Sequence, residues 1–220
     1  MSFESFFTRQ IDLYGLKRQR SLLQKSIAII GSGGLGCSLG LALGGAGLGR
    51  IDLVDYDTVA EHNLHRQVAF GHEEIGQRKC EVLAKTLRRR ACETEINAFP
   101  VDFDAYAARD REVDLILDAT DNLPTRAKVE SRAQATQTPW IYASVEEWHG
   151  QVCLFERGGF ASNLKVTDRQ PGGITPPIVM LVAAFEANLA LRYLLGEKVP
   201  TDTLHYLHFK ADGHFEVQKF

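Results

Sequence analysis

The sequence predicts a protein of the α/β class, a mixed and mainly parallel sheet with helices on both faces, folded as one domain over residues 1–220. Two observations carry that prediction. Short apolar runs, IAII at 27–30, IDLV at 51–54 and DLILD at 114–118, alternate with helix-length segments, as buried parallel strands and their crossover helices do. The first run passes straight into GSGGLG, where Gly31, Gly33 and Gly36 have the spacing GxGxxG. In such a turn one glycine permits the bend, the next lets a phosphate approach the backbone, and the third lets the helix pack against the strand.

The elements follow in order. Residues 1–25 form an N-terminal helical segment, with helix over 4–24. Strand 27–31 leads through the glycine turn into helix 34–47, where Gly36, Gly40 and Gly44 share one face and let the helix press against its neighbours. Strand 51–54 runs into a polar loop and then helix 77–90, closed by Arg88, Arg89 and Arg90, where cations complement the helix dipole. Strands 95–101 and 114–118 come next, and a helix starts near Asn122 with Pro124 in its first turn, where a missing N–H costs little. Strands 139–144 and 150–156 precede a glycine- and proline-rich interval, 157–177. Loops of that length bind, move or serve as flexible joins, and Gly158, Gly159, Gly172 and Gly173 suit either closure over a peptide or a passive connection. Helix 178–195 and a hairpin, 203–209 with 214–219, end the chain.

Composition removes several classes. A formal charge of −3 argues against a nucleic-acid binder that relies on a broad basic surface. The four cysteines, Cys37, Cys80, Cys92 and Cys153, form no CxxC pair; the spacing offers neither zinc site nor disulfide framework and fits a reducing cytoplasm. Cys153 in mid-strand is expected to be buried and inert, and Cys37 and Cys80 to serve packing. MSFESFFTRQ lacks a signal-peptide pattern. IVMLVAAFEANLALRYLL, interrupted by Glu186 and Arg192, falls short of the ~20 apolar residues of a membrane span and reads as a buried or interface helix. His62 and His65 lie in the polar loop, and the spacing of His205 and His208 along a strand points them to opposite faces.

Ligands of an open α/β sheet sit beyond the carboxyl ends of its strands. The second strand ends in Asp55, 24 residues after Gly31 and near the ~20 expected for an acid that grips ribose hydroxyls. The third offers DATDN, with Asp118 at the strand tip and Asp121 just beyond. To this point a nicotinamide dinucleotide would serve. VDYDTVAEHNLHRQ and GQRK add Asn63, Arg66, Gln67 and Lys79. A diphosphate is accommodated by the helix dipole and backbone amides, whereas two further cations and a carboxylate suit a triphosphate with Mg2+, for which Asp121 is the candidate ligand. The alternative is that Asp121 caps the following helix while Arg66 and Lys79 are solvated.

IGSGGLG, LVDYD, NLHRQ, GQRK and LDATDN, in this order and with RQIDLYG at 9–15, resemble the ThiF, MoeB and HesA group, related to the enzymes that activate ubiquitin. The likeness extends to the last hairpin and is nearest a compact ThiF. It implies a Rossmann-like domain in which ATP adenylates the C-terminal glycine carboxylate of a small ubiquitin-like protein ending in Gly-Gly, with release of pyrophosphate. It also implies residue roles: Gly31, Gly33, Gly34, Gly36 and Asn122 at the nucleotide, Asp55 and Asp57 near the ribose, Asn63, Arg66, Gln67 and Lys79 near the phosphates, and Asp121 for magnesium and catalysis. Arg9 matches an arginine lent to a neighbouring subunit's phosphates, which implies a homodimer; an ordinary exposed helical arginine is the alternative. The first choice of partner is a ThiS-like carrier of thiamine thiazole biosynthesis, followed by a molybdopterin-type carrier; an NAD-dependent oxidoreductase is the competing class. Many relatives hold zinc between CxxC pairs and place a reactive cysteine in the crossover segment. No cysteine follows Cys153, so no zinc is expected, and the expected activity is adenylation alone with sulfur from a separate donor.

The chemistry suits such residues. A terminal carboxylate, with a reference pKa of roughly 3.5, is already ionised at neutral pH and needs no general base. The obstacle is its approach to an anionic triphosphate, which cations and helix amides overcome by holding charge and aligning the reactants.

Overall fold

The computed structural model describes residues 2–156, 158–160 and 172–220. Its centre is the apolar strand β1 (Ser26–Ile30), which pairs in parallel with β2 (Arg50–Val54) on one side and β4 (Leu115–Asp118) on the other. β3 (Glu95–Phe99) adds in parallel outside β2, and β5 (Trp140–Glu146) in parallel outside β4. From β5 the sheet turns antiparallel through β6 (His149–Phe155), β7 (His205–Phe209) and β8 (Phe215–Lys219), giving the order β3-β2-β1-β4-β5-β6-β7-β8.

Because successive side chains alternate between faces, the buried strands feed two cores. Ile27, Ile29, Leu53 and Leu117 pack with α4 (Gly34–Leu43), α5 (Lys79–Arg88) and α8 (Pro176–Leu194). Ala28, Ile30 and Ile116 pack on the other face with α6 (Phe103–Ala107) and α7 (Leu123–Thr136). The expected mixed sheet with helices on both faces is therefore present. α8, apolar enough by length and composition to cross a membrane, packs here on α4, β5 and β6. The expected glycine face of α4 also holds: methyl groups at Gly40 and Gly44 would stand 3.2 and 3.1 Å from Leu87 of α5.

Several boundaries differ from expectation. The N-terminal helix is three short ones, α1 (Phe3–Phe6), α2 (Thr8–Tyr14) and α3 (Leu16–Ser21), broken at Phe7 and at Gly15, whose φ of +84° ends α2. α4 stops at Leu43 rather than 47, because a glycine-rich turn follows that includes Gly47 at φ +90°. α6 was not foreseen. Arg88 closes α5 by donating from Nε and Nη2 to Ile96 O of β3. Most of the 157–177 interval lies outside the described residues; of its glycines, Gly172 donates to Glu146 Oε1 and Gly173 O accepts from Glu147 N, at the end of β5. His205 is buried beside Phe185, whereas His208 faces Glu216 on the opposite side, as the strand spacing requires.

Candidate functional site

The carboxyl ends of β1, β2 and β4 meet at one edge of the molecule. The turn after β1 works through its backbone. Gly31 has φ +99°, and a methyl group there would stand 2.7 Å from Ala119 O. At Gly36 a methyl would stand 1.9 Å from Gly31 O, so these two glycines are required by the turn and by helix packing. Gly34 faces α8, 2.9 Å from Val179 Cγ1 by the same measure. Gly33 has room, with only Gln67 Nε2 nearby at 3.5 Å. No side chain caps α4 at Gly33, which leaves first-turn amides of that helix for an anion.

Asp55 ties the turn to the end of β2: Oδ2 accepts from Ser32 N at 2.6 Å and Oδ1 from Asp57 N at 2.7 Å. Burial raises its carboxyl above the usual range, against the pull of those amides and of Lys79. Asp57, expected beside a ribose, places Oδ2 2.8 Å from Lys79 Nζ. Lys79 is not a solvated lysine, since its side chain is 8% exposed while that of Asp57 is 52% exposed. Asn63 is buried and accepts from Ala60 N. Gln67 is buried beside the turn, and among the described residues neither its Oε1 nor Ser32 Oγ has a hydrogen-bond partner. Arg66 is half-buried, donating from Nη1 to His62 O and lying 2.8 Å from His65 Nε2.

The loop after β4 is built differently. Asp118 is fully buried and accepts from Thr120 N, Thr120 Oγ1 and Arg126 Nε. Burial raises its carboxyl and Arg126 opposes the rise. Arg126 also donates to Thr120 O and Ala143 O and lies over the Tyr142 ring. This fixes the backbone from which the exposed Asp121 projects. Asp121 does not cap the next helix; Asn122 does, its Oδ1 accepting from Thr125 N. That cap occupies the carbonyl oxygen of Asn122 and leaves its amide nitrogen for a ligand.

The structure thus brings Gly31, Gly33, Gly34, Gly36, Asp55, Asp57, Gln67 and Lys79 together through the contacts above, with Asn63 and Arg66 on the loop that carries Gln67. Arg9 stands outside this set, 95% exposed, with Asp12 at 4.0 Å as its ion partner. Sequence reasoning missed Arg126; its signal was an arginine in the second turn of the helix that follows a strand-tip aspartate. Burial pushes Cys37 up to about 12, Cys80 up to about 11 and Cys153 up to about 12, so these thiols are inert at neutral pH. A concavity of about 460 Å³, lined by Tyr106, Arg111, Arg132 and Pro139, lies at the amino ends of β4 and β5, away from this edge.

Residues 7–219 match the ThiF family. The chain belongs to the ThiF family. It is 31% identical over 219 residues to the sulfur carrier protein ThiS adenylyltransferase of Escherichia coli (strain K12), covering 93% of this chain and 87% of that protein. It is 32% identical over 198 residues to the adenylyltransferase and sulfurtransferase MOCS3 of Dictyostelium discoideum, covering 84% of this chain. The chain spans about half the length of the MOCS3 relatives it matches, 46% in this case. Its fold matches that of E. coli MccB crystallised with ATP, with a TM-score of 0.82 at 20% identity over 97% of this chain and 70% of that one.

Proposed function

We propose that this protein binds ATP at the edge formed by β1, β2 and β4 and adenylates the C-terminal glycine carboxylate of a small sulfur-carrier protein, releasing pyrophosphate. One observation carries the reading: an enclosed lysine, Lys79, is held beside an uncapped glycine-turn helix, where a diphosphate alone would not call for it. The nucleotide fits the local polar atoms. Ser32 Oγ and Gln67 Oε1 are buried without partners among the described residues, and such atoms are costly unless a ligand or water satisfies them. Asp55 meets the ribose, while Lys79, Arg66 and the amides of Gly33 and Gly34 hold the phosphates.

Magnesium fits as a companion of the phosphates rather than as a resident ion. Among the described residues no group of three His, Cys, Asp or Glu side chains is placed to hold a metal. Mg2+ is usually held by one or two carboxylates plus phosphate oxygens, and Asp121 supplies the carboxylate here. When bound, the ion supplies neutralisation of phosphate charge. The attacking carboxylate is already ionised, so the protein's work is to align it and to stabilise charge with Lys79 and Arg66.

Within this class a ThiS-like carrier is the preferred partner. Supporting it, the match to the E. coli ThiS adenylyltransferase extends over 93% of this chain at 31% identity, and that to MOCS3 of Dictyostelium discoideum over 84% at 32%. The reading also includes a homodimer in which Arg9 of each copy reaches the phosphates bound by the other, and a separate sulfur donor. ATP–pyrophosphate isotope exchange tests the class. Exchange that depends on a small protein ending in Gly-Gly is expected; exchange with no carrier, or none with any Gly-Gly carrier, contradicts it. Comparing a ThiS-type with a molybdopterin-type carrier in the same assay decides the branch.

A further inference from the structure

α2 has no buried residue, and its Leu13 is 82% exposed. Its half-buried residues are Gln10, Ile11 and Tyr14, and the buried ring of Phe7 stands at its start. Gln10 Nε2 lies within donating distance of Tyr14 Oη (2.6 Å), Gln19 Oε1 (3.0 Å) and Ala46 O (2.9 Å). Tyr14 donates to Gln19 Oε1 at 2.8 Å, and Gln19 Nε2 donates to Ala46 O at 3.0 Å. Gln19 is fully buried. Gly47 makes the closure possible, since a methyl group there would stand 2.5 Å from Gln19 Nε2 and 2.9 Å from Phe7 Cζ.

Ala46 belongs to the turn that ends α4, and the other end of α4 is the glycine turn of the phosphate site. The network therefore fastens α2 to the helix that aims at the anion. Arg9, adjacent to Gln10, is the opposite of its neighbour, 95% exposed and loosely paired. A flexible cation that must be ordered to act loses rotamer freedom, and a fixed backbone beneath it reduces what must be ordered.

We infer that Gln10, Tyr14 and Gln19 are positioning residues that set the direction in which Arg9 leaves the surface, so that it completes the phosphate site of a second copy of the chain. This rests on the reading of Arg9 given above. It assigns a task to a polar network that holds no substrate and lies outside the nucleotide cluster.

Mixed oligomers separate the two claims. Arg9→Ala and Lys79→Ala subunits, each inactive alone, are co-expressed with different tags and the mixed species is isolated. Exchange activity returns, from the pocket that keeps Lys79 and receives Arg9 from its neighbour; its failure to return overturns the reading of Arg9 itself. Tyr14→Phe is then placed on either subunit. On the Lys79→Ala subunit, which donates Arg9, it lowers kcat/KM about tenfold; on the Arg9→Ala subunit it leaves the mixed species unchanged. Both arrangements contain the same substitutions, so a general loss of stability affects them alike. Equal loss in both, or loss in neither, overturns the positioning role, and Gln10→Met repeats the comparison should Tyr14→Phe impair folding.

Discussion

The ends of β2 and β4 both present aspartates to the same edge, but one is closed and the other open. Beneath the β4 loop, Asp118, Thr120 and Arg126 bond one another, and Arg126 donates from Nη2 to Ala143 O as well. At the end of β2 the Asp57–Lys79 pair reaches water through Asp57, and Ser32 Oγ and Gln67 Oε1 nearby have no partner among the described residues. The closed network fixes geometry; the open cluster has unsatisfied capacity that a ligand can fill. Asp121 shows the division within one loop, exposed only three residues from the fully buried Asp118.

Breaking the closed end should cost the fold. Arg126→Met leaves Asp118 buried without its cation and is expected to lower unfolding free energy by about 3–5 kcal/mol, read by denaturant titration. Breaking the open end should cost activity. Lys79→Ala and Asp121→Ala are each expected to reduce pyrophosphate exchange by about 10²–10³. Their unfolding free energies should fall by less than that of Arg126→Met, because Asp57 and Asp121 reach solvent. Should Lys79→Ala unfold the chain while Arg126→Met leaves it stable, the distinction between the two ends fails.

A smaller effect sharpens the boundary of the closed network. Glu186 on α8 is fully buried, neither carboxyl oxygen has a hydrogen-bond partner among the described residues, and burial, with the nearby Asp118 charge, raises it well above the ordinary 4.5 while Arg126 opposes the rise. The folded chain therefore holds that proton to a higher pH than the unfolded chain does. Below the ordinary carboxylate range both states are protonated; as pH rises above it, the native state loses stability until Glu186 itself ionises. Glu186→Gln is thus expected to stabilise the protein more at pH 7 than at pH 4, measured by thermal melting. A pH-independent effect would contradict the assignment. Last, iodoacetamide mapping should modify half-buried Cys92 first and leave Cys37, Cys80 and Cys153 unmodified in the folded protein.

What could be read in advance was local. β1, β2 and β4 are continuous apolar runs because helices cover both faces of a parallel sheet, and the glycine turn announces itself by spacing. α6 escaped because FDAYA spans little more than one turn, too short to show a period. The break at Gly15 escaped because the residues on either side are good helix formers. In the site, residue types were legible and pairings were not. Lys79 meets Asp57 from 22 positions away, and Arg126 of α7 reaches Ala143 of β5 from 17 positions away. Such contacts are set by topology, which places distant strand ends side by side.

The central claim is that the open end of β2 is built for three phosphates. Calorimetric titration of the wild-type chain and of Lys79→Ala with ATP and Mg2+, and with NADH, tests it most directly. Binding of ATP by the wild type, weakened at least about tenfold in Lys79→Ala, with no binding of NADH, is the predicted result. Tighter binding of NADH than of ATP, or ATP affinity indifferent to Lys79, would contradict it.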